Sequence, residues 1–100
     1  QRKWISEVSE QLGDQTPEEV RGYCKLTIGV PILRAEDANF CMRYDSVFRP
    51  LPYETKIALM QEPFDFAVTR LMSTKQKSTY LDNMARYWSN KGILLSDPSG

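Results

Sequence analysis

The chain has no histidine among its 100 residues. That removes the commonest general base and the commonest metal ligand at once. No CxxC pair, P-loop, G-x-G-x-x-G or G-x-S-x-G motif occurs either. Nucleotide cradles and nucleophile elbows are therefore excluded in their usual forms. No apolar run approaches the roughly 18 residues that would cross a bilayer. Cysteine is scarce: Cys24 and Cys41 are too few for a disulfide scaffold and sit in apolar-periodic surroundings. They read as two buried, reduced thiols of a cytosolic protein. No internal repeat or low-complexity block occurs, and the first residue is Gln1, in a stretch that already looks helical. The expectation is a chain that begins inside a longer protein.

With 41% hydrophobic residues, the composition fits one globular domain over residues 1–100 with a modest core. Helical signals dominate. Trp4, Ile5, Val8 and Leu12 share a face of a first helix that ends at Gly13-Asp14. Thr16, Pro17 and Glu19 spell an N-cap, a first-turn proline and a capping box. Val20, Tyr23, Cys24, Thr27 and Ile28 follow at helical spacing, with Gly22 either permitting close helix contact or merely tolerated. Gly29 to Leu33 reads as an extended or turning connector because Pro31 interrupts the pattern. A third helix is expected from about Glu36 to Phe48, burying Phe40, Cys41, Tyr44, Val47 and Phe48. Pro50 and Pro52 mark a sharp linker. A short helix over Tyr53–Gln61 then turns Ile57, Ala58 and Met60 inward. Phe64, Phe66 and Val68 alternate like a short strand within an irregular segment.

Ser73 and Gln76 make a second capping box, and Lys77, Tyr80, Leu81, Met84, Ala85 and Trp88 form the face of the last helix, which stops at Lys91-Gly92. Ile93 to Leu95 is expected to pack back, leaving Ser96–Gly100 as a fraying tail. The fold class is mainly α, about five helices in an orthogonal bundle.

Charge is segregated within a chain of formal net charge +0. Residues 69–92 carry Arg70, Lys75, Lys77, Arg86 and Lys91 against Asp82 alone, a balance of +4 that the rest of the chain cancels. The carboxylates are scattered, and each has a structural explanation: Glu18-Glu19 and Glu36-Asp37 suit helix N-termini, while Glu62 and Asp65 flank a proline turn. Holding an anion suits this chain better than breaking bonds. Metal ligands and cofactors are not expected, and a nuclease built from the scattered carboxylates is the weakest reading.

Several segments resemble a known family. Thr69-Arg70-Leu71, Tyr80-Leu81-Asp82, the pair Tyr87-Trp88, Gly92-Ile93 and Asp97-Pro98 are similar to the phage recombination protein family NinB, also called Orf, and to the related YbcN-type prophage proteins. Trp4, Thr16-Pro17-Glu18-Glu19 and Tyr23-Cys24-Lys25 match it more loosely. The family's β-rich N-terminal segment, and an Arg-Ser…Gln-Asn motif before the tryptophan helix, are absent, as though this were the C-terminal part of an α+β protein. Leu33 to Phe66 departs from shorter family members. The resemblance implies a non-enzymatic, dimeric recombination mediator in the cytoplasm of a bacterial host. It would bind single-stranded DNA beside single-strand-binding protein and help a recombinase or annealing protein to load.

On that reading the DNA-binding candidates are Arg70, Lys75, Lys77, Arg86, Arg2 and Lys3. Arg70 matches the arginine of the family's Thr-Arg segment. It either reaches a phosphate or fastens its loop through Glu62 or Asp65. Lys75 and Arg86 lie on the outer helix face as phosphate contacts or as solvated charge. Lys77, inside the apolar stripe, either snorkels or faces a partner subunit. Tyr80 and Tyr87 stack bases or pack with a wet hydroxyl, and Trp4 and Trp88 are core. The alternative function is a protein-interaction module without nucleic-acid affinity, its basic helix docked on an acidic partner.

Overall fold

The first helix forms where its apolar spacing predicts. In the computed structural model, which describes residues 2–95 with the Arg2 side chain excepted, α1 spans Arg2–Leu12 and buries Trp4, Ile5 and Val8. It packs against α2, Pro17–Cys24, whose start is closed by the expected box. Glu19 donates its amide to Thr16 Oγ1 at 3.2 Å, and Thr16 donates its amide to Glu19 Oε1 at 2.8 Å.

Beyond Cys24 the expected connector is absent. The chain stays helical through a π turn, Lys25–Gly29, into α3, Val30–Glu36. Pro31 has no N–H to donate, and in a regular α-helix its ring would press on the carbonyl of Thr27. The wider turn, in which Val30 donates to the carbonyl of Lys25, relieves that clash without ending the helix. The gain is burial of Ile28, Val30, Ile32 and Leu33 in the core. Two glycines permit tight approaches along this run. A Cβ on Gly22 would lie 2.8 Å from Gln61 Cγ, and one on Gly29 would lie 2.7 Å from Val68 Cγ1.

The third expected helix starts two residues later than predicted, at Ala38, with Asp37 as N-cap. α4, Ala38–Arg43, again runs into a π turn, Tyr44–Phe48. Tyr44 and Phe48 are buried as expected, but Phe40 and Cys41 are only half-buried and Val47 is 71% exposed. A π turn keeps residues i and i+4 on the inward side and rotates i+3 outward, which is Val47's position after Tyr44. Arg34 holds this turn to α3 by a two-pronged pair with Asp45, both contacts 2.9 Å.

α5, Tyr53–Leu59, opens at Pro52. Met60 is buried and Ile57 half-buried, whereas Ala58, expected inside, is exposed and Leu59 packs in its place. No strand forms among the described residues. Asp65 takes a left-handed backbone (φ 47°), which breaks the alternation, and the neighbouring amides bond locally rather than across a ladder. Phe64 is consequently exposed, Phe66 half-buried and Val68 buried. After a 3-10 turn, Thr69–Leu71, the longest helix, α6, spans Thr74–Asn90 with Tyr80, Met84 and Trp88 buried. Its capping box is the predicted one, Ser73 with Gln76. Gln76 also donates to Glu36 Oε1 at 3.1 Å, tying the start of α6 to the end of α3.

Gly92 takes positive φ beyond the helix, and Ile93 packs back into the core. Leu94 is exposed, with its backbone held by the side-chain amide of Gln11 through bonds of 2.6 and 2.8 Å. The tail expected over Ser96–Gly100 lies outside the described residues. Counting each π turn with its helices, five helical runs enclose one hydrophobic cluster among the described residues. The architecture is mainly α, as predicted, and among the described residues no helix is long and apolar enough to cross a membrane.

Candidate functional site

Arg70 stands exposed in the 3-10 turn that leads into α6. Neither acid expected to fasten it does so. The Asp65 carboxylate is occupied by Lys25 at 2.7 Å and Arg21 at 2.9 Å, and no ion pair joins Arg70 to Glu62 among the described residues. Among the described residues, Arg70 donates only to the backbone carbonyl of Asp65, at a long 3.4 Å. The guanidinium is left largely available. It lines a cavity of about 190 Å³ with Thr69, Lys77, Tyr80 and Leu81. Two candidate cations therefore share one concavity.

Lys77 is exposed there, at the N-terminal end of the apolar stripe, rather than buried along it. The first turn of α6 contains no acid and carries Lys75. Helix N-termini already bear partial positive charge, and the carboxylate beside this one is that of Glu36 in α3, which accepts from the Gln76 side chain.

The remaining candidates are not drawn into the same place. Arg86 shares the outer face of α6 with Lys75 but lies 11 positions on, roughly 16 Å along the axis. Asp82 falls between them. Lys3 is exposed at the start of α1, and the side chain of Arg2 lies outside the described residues. Tyr80 is only 1% exposed, so it cannot offer a face to a base. Tyr87 is half-buried, its hydroxyl hydrogen-bonded to that of Tyr23 and its ring at 86° to Trp88, centroids 4.9 Å apart. Burial, and then the bond to Tyr23, push its phenol up to about 12. Both tyrosines are packing residues. Trp4 and Trp88 are core, as expected, and Trp88 Nε1 donates to Cys24 Sγ at 3.4 Å.

Two features escaped the sequence. The first is a charge network between α2 and the 61–68 loop. Lys25 is 3% exposed and donates to the Met60 carbonyl at 2.9 Å as well as to Asp65. Burial drives its ammonium below the ordinary lysine range, against the pull of Asp65. Asp65 is held low first by Lys25 and then by Arg21, and Glu18 is held low by Arg21. Glu18 also accepts the Glu62 amide at 2.8 Å. Glu18, Arg21 and Lys25 recur at i, i+3 and i+7, a visible polar stripe, but its partner lies forty residues downstream.

The second feature is an apolar groove of about 480 Å³ along α4. Rings floor it: Phe48 meets Tyr44 at 5.0 Å and Phe66 at 4.7 Å, and Phe40 stacks on Tyr44 at 5.7 Å. Val47 and Leu71, 71% and 55% exposed, also line it, with Asp37 and Arg43 as its charged residues.

No family model, no curated protein and no solved structure matches this chain.

Proposed function

We propose that this chain is a non-enzymatic, single-stranded DNA-binding accessory protein of recombination, of phage or prophage type, that holds strand phosphates at the positive end of α6. One observation carries the reading: Arg70 and Lys77 line one cavity beside a helix start that has no acid in its first turn. A phosphate there meets two cations and a favourable helix dipole. The resemblance of Thr69-Arg70-Leu71 and the residues after it to the NinB family supplies the recombination context. With it come the expected partners, single-strand-binding protein and a second copy of the chain, and a bacterial cytoplasmic setting.

Stacking falls to a different ring. Phe64 is exposed in the turn just before Asp65, the residue whose carbonyl Arg70 touches. A base laid on Phe64 would have its neighbouring phosphates near Arg70, and such stacking is worth about 1–3 kcal/mol per base.

Fluorescence anisotropy with a labelled single strand and its duplex, with and without Mg²⁺, tests the proposal. Arg70→Ala and Lys77→Ala should each weaken both forms, while Phe64→Ala should weaken only the single strand. Strand cleavage in Mg²⁺ would point to a nuclease instead. Absence of binding to either form would favour the second reading, a protein module docked through its basic helix on an acidic partner. The burial of Tyr80 favours that alternative, because it leaves no aromatic face inside the Arg70–Lys77 cavity.

A further inference from the structure

We propose that the Arg70–Lys77 cavity receives the terminal phosphate monoester of a strand rather than one of its internal diesters. The inference rests on the phosphate-holding reading above and narrows it to one kind of phosphate. Placement of charge comes first. A protein that grips a strand along its length needs cations spaced along a groove. Here two cations converge on one concavity, and no carboxylate lines it among the described residues. Lys75 is exposed outside it, Arg86 lies roughly 16 Å along α6 beyond Asp82, and Lys3 stands on a different helix. An internal diester carries one negative charge, whereas a monoester carries nearly two at neutral pH. Two cations in one place match the monoester.

Size and donors agree. The cavity, about 190 Å³, is smaller than the roughly 300 Å³ at which pockets begin to enclose a whole small molecule, so it admits a head group and no more. Buried Tyr80 and half-buried Leu81 wall it on the α6 side. A strand must both enter and leave around an internal phosphate, but a terminal one needs only a single exit. The Arg70 fork presents parallel N–H groups to two phosphate oxygens, Lys77 offers a point charge to a third, and Thr69 adds a hydroxyl beside them. The long bond from Arg70 to the Asp65 carbonyl leaves that fork free to turn. Exposed Phe64, in the turn before Asp65, then takes the base next to the strand end.

Competition against an internally labelled strand with hydroxyl ends, followed by fluorescence anisotropy, tests this with unlabelled strands of about 12 nucleotides that differ only in their ends. A strand with a phosphate at its 5′ or its 3′ end should compete about tenfold better than the hydroxyl strand at about pH 7.5, and the arm that does so identifies the end. A closed circular strand should compete no better than the hydroxyl strand. At about pH 5.5 the monoester gives up most of its second charge, and the advantage should shrink to about threefold or less. Arg70 and Lys77 are the charged residues lining the cavity, and the chain has no histidine, the side chain that ordinarily changes charge over that interval. Arg70→Ala and Lys77→Gln, both at exposed positions, should reduce the advantage to within about twofold while circular dichroism stays helical.

Absence of binding by any strand overturns the reading above and this inference together. Equal competition by phosphorylated, hydroxyl and circular strands overturns this inference alone. An advantage that survives both substitutions overturns the assignment to this cavity, and one unchanged at the lower pH overturns the charge argument. Inorganic phosphate that displaces the probe as well as a phosphorylated strand does would make the free anion the ligand, and the strand end would fall.

Discussion

Asp65→Asn isolates the charge that the 61–68 loop gives to a buried lysine. Asparagine keeps the size of the side chain and tolerates the left-handed backbone at position 65, so neither packing nor strain confounds the result. Without the carboxylate, the Lys25 ammonium keeps the Met60 carbonyl and a neutral amide oxygen at position 65, with the positive charge of Arg21 nearby. Removing one partner of a fully buried pair costs about 3–5 kcal/mol. Here the Asp65 side chain is 35% exposed, and water offsets part of that loss. The expected cost is therefore about 2–3 kcal/mol, or roughly 8–24 °C in melting temperature for a domain of this size.

Lys25→Met provides the contrast, because it deletes the buried charge, keeps the stem volume and leaves Asp65 paired with Arg21. Its cost should be about 1 kcal/mol, mainly the unpartnered Met60 carbonyl. Acid unfolding adds a second readout. The folded carboxyls of Asp65 and Glu18 are depressed, so the unfolded chain takes up protons first as pH falls. Their stabilisation is present above the unfolded carboxylate range of about pH 4 and is lost as pH falls through the lower folded values. Asp65→Asn should flatten that acid limb. Urea unfolding followed by circular dichroism measures both effects. Asp65→Asn within about 0.5 kcal/mol of wild type, beside a Lys25→Met loss above about 2 kcal/mol, would refute the reasoning.

Two further outcomes are expected. Gly29→Ala should destabilise by about 1–3 kcal/mol in urea despite its better helix propensity, because the added methyl meets Val68 Cγ1 in the core; a stabilised variant would contradict the packing described. Thiol titration of the native protein should show a fast group at the half-buried Cys41 and a slow one at Cys24, which burial pushes up to about 11; Cys41→Ser should abolish the fast phase, and a fast phase surviving it would refute the assignment.

Locally encoded features were readable in the sequence. Both capping boxes need only residues three apart, and both form. The inward faces of α1 and α6 follow from spacing alone. Pro31 was misread because a proline after glycine and valine normally ends a helix, and only the core contacts of Ile32 and Leu33 show why a wider turn is worth making. Val47 reversed for the same reason, since a π turn changes which residue of a pattern points outward. Lys25 was beyond reach of periodicity. A lysine in a mixed helix is commonly exposed, and here it is buried by partners distant in the chain. Of the proposed DNA contacts, Arg70 and Lys77 come together through a concavity that no spacing rule predicts, whereas Arg86 stays apart on the outer face.

Phosphate held by the positive end of α6 would give single-strand binding a defined salt dependence. Three contacts, from Arg70, Lys75 and Lys77, predict a slope of log K against log salt of about −2, made shallower by about 0.7 in Arg70→Ala and again in Lys77→Ala. A slope indistinguishable from zero, or one that neither alanine changes, would contradict it.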